Sequence, residues 1–126
     1  HGDARKDGNV FDHLWVRIRE LEASRRFYEA VAPVVGYAVT SHSERLRVHG
    51  DGASVSLVEG EPTEGLHLAF SATDPDQVRR FHEAGLRAGF TSLGEPGERP
   101  EYHPGYFGAY LADPDGNNVE AVYHDR

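Results

Sequence analysis

The feature that most limits what this chain can fold into is a repeat. Shifted by 54 residues, "HLWVRIRELEASRRFYEA" (13–30) lies over "HLAFSATDPDQVRRFHEA" (67–84) without a gap, and His, Leu, Arg, Arg, Phe, Glu and Ala coincide. One residue of slippage brings "VGY" (35–37) onto "AGF" (88–90), and "DGASVSLV" (51–58) then lies over "DGNNVEAV" (115–122). The second copy is the longer, with the excess around "GEPGERPEYHPG" (94–105). Three blocks in the same order point to a duplicated unit, so the fold must be two similar modules.

Each copy carries the same pattern. "FDHLWVRI" alternates and ends in β-branched residues, which predicts a strand. A helix follows from about Leu21 to Ala32, with Leu21, Phe27 and Val31 on one face and Pro33 closing it. In the second copy Asp74 is placed to cap a helix, Pro75 to begin it and Gln77 to complete a capping box. Strands are predicted over 37–42, 44–50 and 53–59, and again over 89–93, 106–112 and 118–123. "DPDG" suits a type I turn between the last two.

The fold class is therefore α+β: two tandem βαβββ modules, about 10–60 and 64–124, in one domain spanning 10–126. The helix of a module covers one sheet face. The other face must curl around a ligand or meet another module, which predicts an open, cupped mixed β-barrel. Residues 1–9, "HGDARKDGN", are polar and read as a flexible lead-in or expression remnant.

Composition narrows the function classes. A formal net charge of −8 and a single lysine, Lys6, leave no electrostatic footprint for nucleic acid or an anionic membrane. The absence of cysteine excludes disulfides, thiolate metal sites and a cysteine nucleophile. No apolar run reaches the length of a membrane span and no signal-peptide core is present, so a cytoplasmic protein is expected.

One residue breaks the apolar pattern. In "NVEAVY", Glu120 stands between Val119 and Ala121. It either faces solvent or needs a partner, because burying a lone charge costs several kcal/mol. Alternation sorts its neighbours. Leu14, Val16, Ile18, Leu68, Phe70, Val119 and Ala121 should face the helices. His13, Trp15 and Arg17, then His67, and then Glu120 should face the cup. The two histidines hold the same place in their modules. Two histidines and one carboxylate make a facial triad with open positions for substrate, water or dioxygen. Fe(II) or Mn(II) is favoured, with Ni(II), Co(II) or Zn(II) also compatible. Whether such a site is built within one chain or across a dimer stays open.

At this point the sequence resembles the vicinal oxygen chelate superfamily, which includes glyoxalase I, fosfomycin- and bleomycin-resistance proteins, methylmalonyl-CoA epimerase and extradiol dioxygenases. "DHLWVRIRELEASRRFYEAVAPVVGY" is similar to its opening strand and helix, "HLAFSATDPDQVRRFHEA" to the start of its second module, and "LADPDGNNVEAVYH" to its closing hairpin. The resemblance covers nearly the whole chain from Val10. It implies paired modules, a homodimer, a small-molecule substrate with vicinal oxygens, and a divalent metal on His13, His67 and Glu120.

The reaction is less constrained. Position 56 corresponds to Glu120 through the repeat, and the resemblance to glyoxalase I implies a carboxylate there. This chain has Ser56, which cannot serve as an isomerase base. Arg17 and Arg47 make a thin cationic cradle for a phosphonate. "HPGYFGAYLADPDGNNVE" is similar to the extradiol dioxygenase signature, which implies catalytic roles for His103 and Tyr110, and it departs at Ala109. Extradiol-type oxidoreductase chemistry is placed ahead of a glyoxalase-like lyase or isomerase, with metal-free drug sequestration as a third reading. Trp15, Arg17, Ser56, Tyr106 and Phe107 are expected to line the substrate pocket.

Overall fold

A computed structural model describes residues 11–125; the lead-in expected over residues 1–9 lies outside them. Strand β1 (His13–Ile18), helix α1 (Leu21–Val31), a 3₁₀ turn (Ala32–Val35) and strands β2 (Ala38–His42), β3 (Arg45–Gly50) and β4 (Ala53–Glu59) form the first module. Strand β5 (His67–Ser71), helix α2 (Pro75–Arg87) and strands β6 (Thr91–Glu98), β7 (Tyr106–Ala112) and β8 (Asn118–His124) form the second. The sheet orders are β1-β4-β3-β2 and β5-β8-β7-β6, each with one parallel pair and two antiparallel pairs. The expected modules are present, as two separate four-stranded sheets.

The duplication holds at the level of single residues. His13 pairs with Ser54, two positions before Ser56, and His67 pairs with Asn118, two positions before Glu120. The offset found in the sequence is thus the register of the sheets.

Both helices start from local chemistry. Asp74 Oδ1 accepts from Gln77 N at 2.8 Å, and the Gln77 amide oxygen reaches back to Thr73 N at 2.8 Å. At α1 no adjacent side chain caps the helix; Glu59, from the end of β4, accepts from Leu21 N at 2.8 Å. The first helix therefore begins on a tertiary contact, which local sequence cannot announce. Pro33 does not end the backbone turn outright, because it is the second residue of the 3₁₀ segment, and Gly36 at φ 86° then supplies the left-handed cap.

One core joins the modules. Val16, Ile18, Phe27, Val31, Leu46, Val48 and Leu57 from the first meet Phe70, Val78, Phe81, Leu111, Val119 and Ala121 from the second. Each fully buried aliphatic or aromatic side chain contributes roughly 1.5–3 kcal/mol. The helices pack together on this side, with Phe27 edge-on to Phe90 at 4.9 Å. At Gly85 a Cβ would run into Leu111, so glycine lets α2 approach β7 closely. Leu14 lies on the helix side as expected but is 47% exposed, beyond the covered area. The expected strand at 89–93 is in fact Thr91–Glu98, because "GEPGE" pairs with β7 through two register shifts, at Ser92/Gly94 and Gly94/Gly97. Among the described residues no helix is long and apolar enough to cross a membrane.

Candidate active site

The "DPDG" turn sets the position of β8. Gly116 N donates to Asp113 O at 2.9 Å, and Asp113 Oδ1 accepts from Asp115 N and Asn117 N at 2.9 Å. Asn117 then ties β8 to the linker between modules through Leu66 N and Thr63 O. With this register locked, Gly94, Tyr110, Glu120 and Ala69 stand side by side across β6, β7, β8 and β5. Partnered residues share a face, so Tyr110 and Glu120 both point away from the helices, and His67 lies on that face two residues before Ala69.

Glu120 is 1% exposed. Its Oε1 lies 2.7 Å from His67 Nε2, and its Oε2 accepts a short hydrogen bond from the Tyr106 hydroxyl. The Tyr110 hydroxyl is buried beside them without a hydrogen-bond partner of good geometry, although it is close enough to Tyr106 for the phenols to influence each other. Gly108 leaves the space in which these groups meet. A Cβ there would stand 2.9 Å from Glu120 Oε2, 3.2 Å from Tyr106 Cε1 and 3.5 Å from the Tyr110 oxygen. Burial, then Glu120, pushes the Tyr106 phenol far above the ordinary tyrosine range. Tyr110 is raised by the same two causes in the same order, with Tyr106 and Arg99 opposing.

The donor set fits a divalent metal in part. His67 Nε2 and Glu120 Oε1 lie together, bonded to each other. Their separation is near the roughly 3.0 Å expected of two adjacent donors each about 2.1 Å from a common ion. His13 is elsewhere: it is exposed, and its Nδ1 lies 2.9 Å from Asp12 Oδ1. Among the described residues no three His, Cys, Asp or Glu side chains gather as a metal site. One chain thus brings together two of the three expected ligands.

The remaining expected residues divide. Ser56 is 3% exposed and stands in the module-one row Trp15–Ser56–Arg47, the counterpart of Ala69–Glu120–Tyr110. Trp15 is half exposed on that open face, with the Arg45 guanidinium 5.2 Å from its ring centre. Arg17 is drawn to the 60–63 segment, where its Nε donates to Glu61 O at 3.2 Å and its Cδ passes Gly60. The cup-facing place expected for Phe107 is corrected. Its partners put it on the helix side, where it packs on the core under the Arg79 guanidinium. Tyr106 does reach the cup, with its hydroxyl committed to Glu120. His103 donates from Nδ1 to Pro104 O at 2.7 Å, so its Nε2 accepts from His124 Nδ1 at 2.9 Å when neutral. Its ring packs on Tyr106 at 5.4 Å, one side chain removed from Glu120.

Two residues at the site were not singled out from sequence, Gly108 and Arg99. The Arg99 guanidinium lies 5.3 Å from the Tyr110 ring centre. A basic residue close after two glycines, one of which opposes a cup tyrosine, was the available signal.

Comparison with known proteins agrees with this architecture. A glyoxalase/bleomycin resistance protein from Albidiferax ferrireducens is 30% identical, with a TM-score of 0.80 over 93% of this chain and 100% of that one. A glyoxalase-related enzyme from Fulvimarina pelagi is 23% identical, with a TM-score of 0.70 over 93% and 88%. A glyoxalase/bleomycin resistance protein/dioxygenase family enzyme from Burkholderia phytofirmans is 16% identical, with a TM-score of 0.71 over 90% and 98%. No functionally curated protein matches. A family model matches residues 10–121, nearly all of both modules, and on that match the chain belongs to the Glyoxalase/Bleomycin resistance protein/Dioxygenase superfamily.

Proposed function

We propose that the protein is a divalent-metal-dependent enzyme acting on a small substrate with vicinal oxygens, with extradiol-dioxygenase-like chemistry ahead of a glyoxalase-like reaction. The observation that carries the reading is Glu120, a carboxylate 1% exposed and held between His67 and Tyr106 beside the unpartnered Tyr110 hydroxyl. A fold that needed only stability would place an apolar residue here, since burying a carboxylate is costly even when it is partnered.

His67 and Glu120 would hold the metal, and His13 of a second copy would complete the set. When bound, the ion supplies Lewis acidity at two neighbouring substrate oxygens. Tyr106 holds Glu120 Oε2 and leaves Oε1 for ligation. Tyr110 offers its proton to a substrate oxygen. His103 buttresses the Tyr106 ring. Ser56, where a second carboxylate would stand, favours the dioxygenase order of preference.

The test is anaerobic loading with Fe(II), followed by catechols and air. Dioxygen uptake and a yellow ring-opened product are expected, and Tyr110→Phe slows them by roughly ten- to a hundredfold, the low end for loss of one transition-state donor. Metal content should fall in His67→Ala. A Ni(II) or Zn(II) form that isomerises the glutathione hemithioacetal of methylglyoxal would instead establish the lyase. Unchanged metal content in His67→Ala would overturn the metal reading, and tight binding of an aromatic antibiotic by metal-free protein would then establish sequestration.

A further inference from the structure

Strand β6 is irregular for a reason that its own sheet does not supply. Its two register shifts centre on Gly94 and Gly97. A Cβ on Gly94 would stand 2.6 Å from Tyr110 Cδ2 and 3.5 Å from Arg99 Nη2, and one on Gly97 would stand 2.9 Å from Arg99 Nη1. Both positions are bare where a guanidinium and a phenol lie. Arg99 Nη2 donates to Glu95 O at 2.6 Å and Nη1 to Glu98 O at 3.2 Å, so the plane of the group is fixed over Tyr110.

The charge is held by main-chain oxygens. Glu95, Glu98 and Glu101 all lie within four residues of Arg99. Among the described residues the guanidinium bonds to none of their carboxylates and takes main-chain carbonyls instead. Two of its five N–H donors are used there, which leaves the remainder for another acceptor. The acceptor would come from the open side of the sheet, because Tyr110 beneath the cation is the cross-strand partner of Glu120.

We infer that Arg99 is an anion-recognising residue of the active site, selecting substrates that carry a carboxylate or similar anionic group beside the two metal-chelating oxygens. This deepens the proposed function and rests on it. Guanidinium matches a carboxylate in two-pronged geometry, and the stacked ring restrains it in advance of binding.

The test uses full-length Zn(II)-loaded protein, which binds catechols without oxidising them. Affinities for 3,4-dihydroxyphenylacetate and the neutral 4-propylcatechol are measured by calorimetry. The acid should bind tighter by about tenfold or more, the scale of one charge-assisted hydrogen bond. Arg99→Gln should abolish that gap, and Arg99→Lys should keep part of it. Equal affinities in the parent protein, or a gap that survives Arg99→Gln, would overturn the inference. So would an equal loss for both ligands, which marks a structural staple, or a change in Zn(II) affinity alone, which marks charge compensation of Glu120. If neither catechol binds, the vicinal-oxygen reading fails, and the Arg99 Nε resonance decides separately. A shift with benzoate but not benzamide supports an anion site, and no shift with either removes it.

Discussion

Gly108→Ala is the most informative single change at the site, because it adds one methyl group and no charge. Gly108 is not among the glycines with positive φ, so the substitution costs nothing in backbone conformation. In an ordinary strand it would stabilise by about 0.4–1 kcal/mol by restricting the unfolded chain. Here the new Cβ lies 2.9 Å from Glu120 Oε2, inside van der Waals contact, with Tyr106 Cε1 at 3.2 Å on another side. The carboxylate is tethered by His67, so the Tyr106 bond must open. Losing one hydrogen-bond partner of a buried polar group costs roughly 1–3 kcal/mol. The net expectation is a loss of about 0.5–2 kcal/mol, read as a lower urea midpoint at unchanged m-value. Tyr106→Phe removes the same bond beforehand. In that background Gly108→Ala should cost about 1 kcal/mol less, a coupling that a double-mutant cycle resolves. A stabilised Gly108→Ala, or additive costs, would refute the idea that the Gly108 slot exists to seat the Tyr106–Glu120 bond.

Gly85→Ala should destabilise by about 1–3 kcal/mol in thermal melts although alanine is the better helix former, because its methyl meets Leu111 in a filled core. His82, buried and bonded to Ser92 Oγ at 2.7 Å, has its pKa lowered from 6.5, first by desolvation. The unfolded chain therefore binds the proton more readily, so the contribution of His82 is complete above about 6.5 and is lost as pH falls below it. Urea midpoints at pH 7.5 and 5.5 should show this loss, and His82→Gln should lessen it. Sedimentation equilibrium with metal should give a dimer of the 14.0 kDa chain. If His13 completes the site in trans, mixing His13→Ala with His67→Ala chains and allowing exchange should restore about a quarter of the metal content, since half the dimers are mixed and each has one intact site. Sites built within one chain would restore none.

The sequence made the modules legible because the repeat fixes a register and the register fixes faces. His67 and Glu120 were put on one face for that reason, and there they meet. The dioxygenase signature pointed to Tyr110, three residues on from Phe107, while the cluster of aromatics drew Phe107 into the cup. Period-two counting from Tyr110 puts it opposite, where Arg79 covers it. His13 shows a different limit: a face can be read from one chain, but a distance between faces cannot. Arg99 was hidden by "GEPGE", whose glycines and proline resemble a loop. In the fold they are strand positions emptied to make room.

That emptied strand has a second consequence. β6 is the outer strand of its sheet, where unpaired backbone groups invite another chain to add on. Pro96 withholds one donor, and the slips at Gly94 and Gly97 bend the ladder out of line. A regular β6, with side chains at both glycines, would lose the seat of the guanidinium and gain a straight, sticky border. Variants selected for a smoother strand should therefore precipitate at concentrations the parent tolerates, even where their melting temperatures rise.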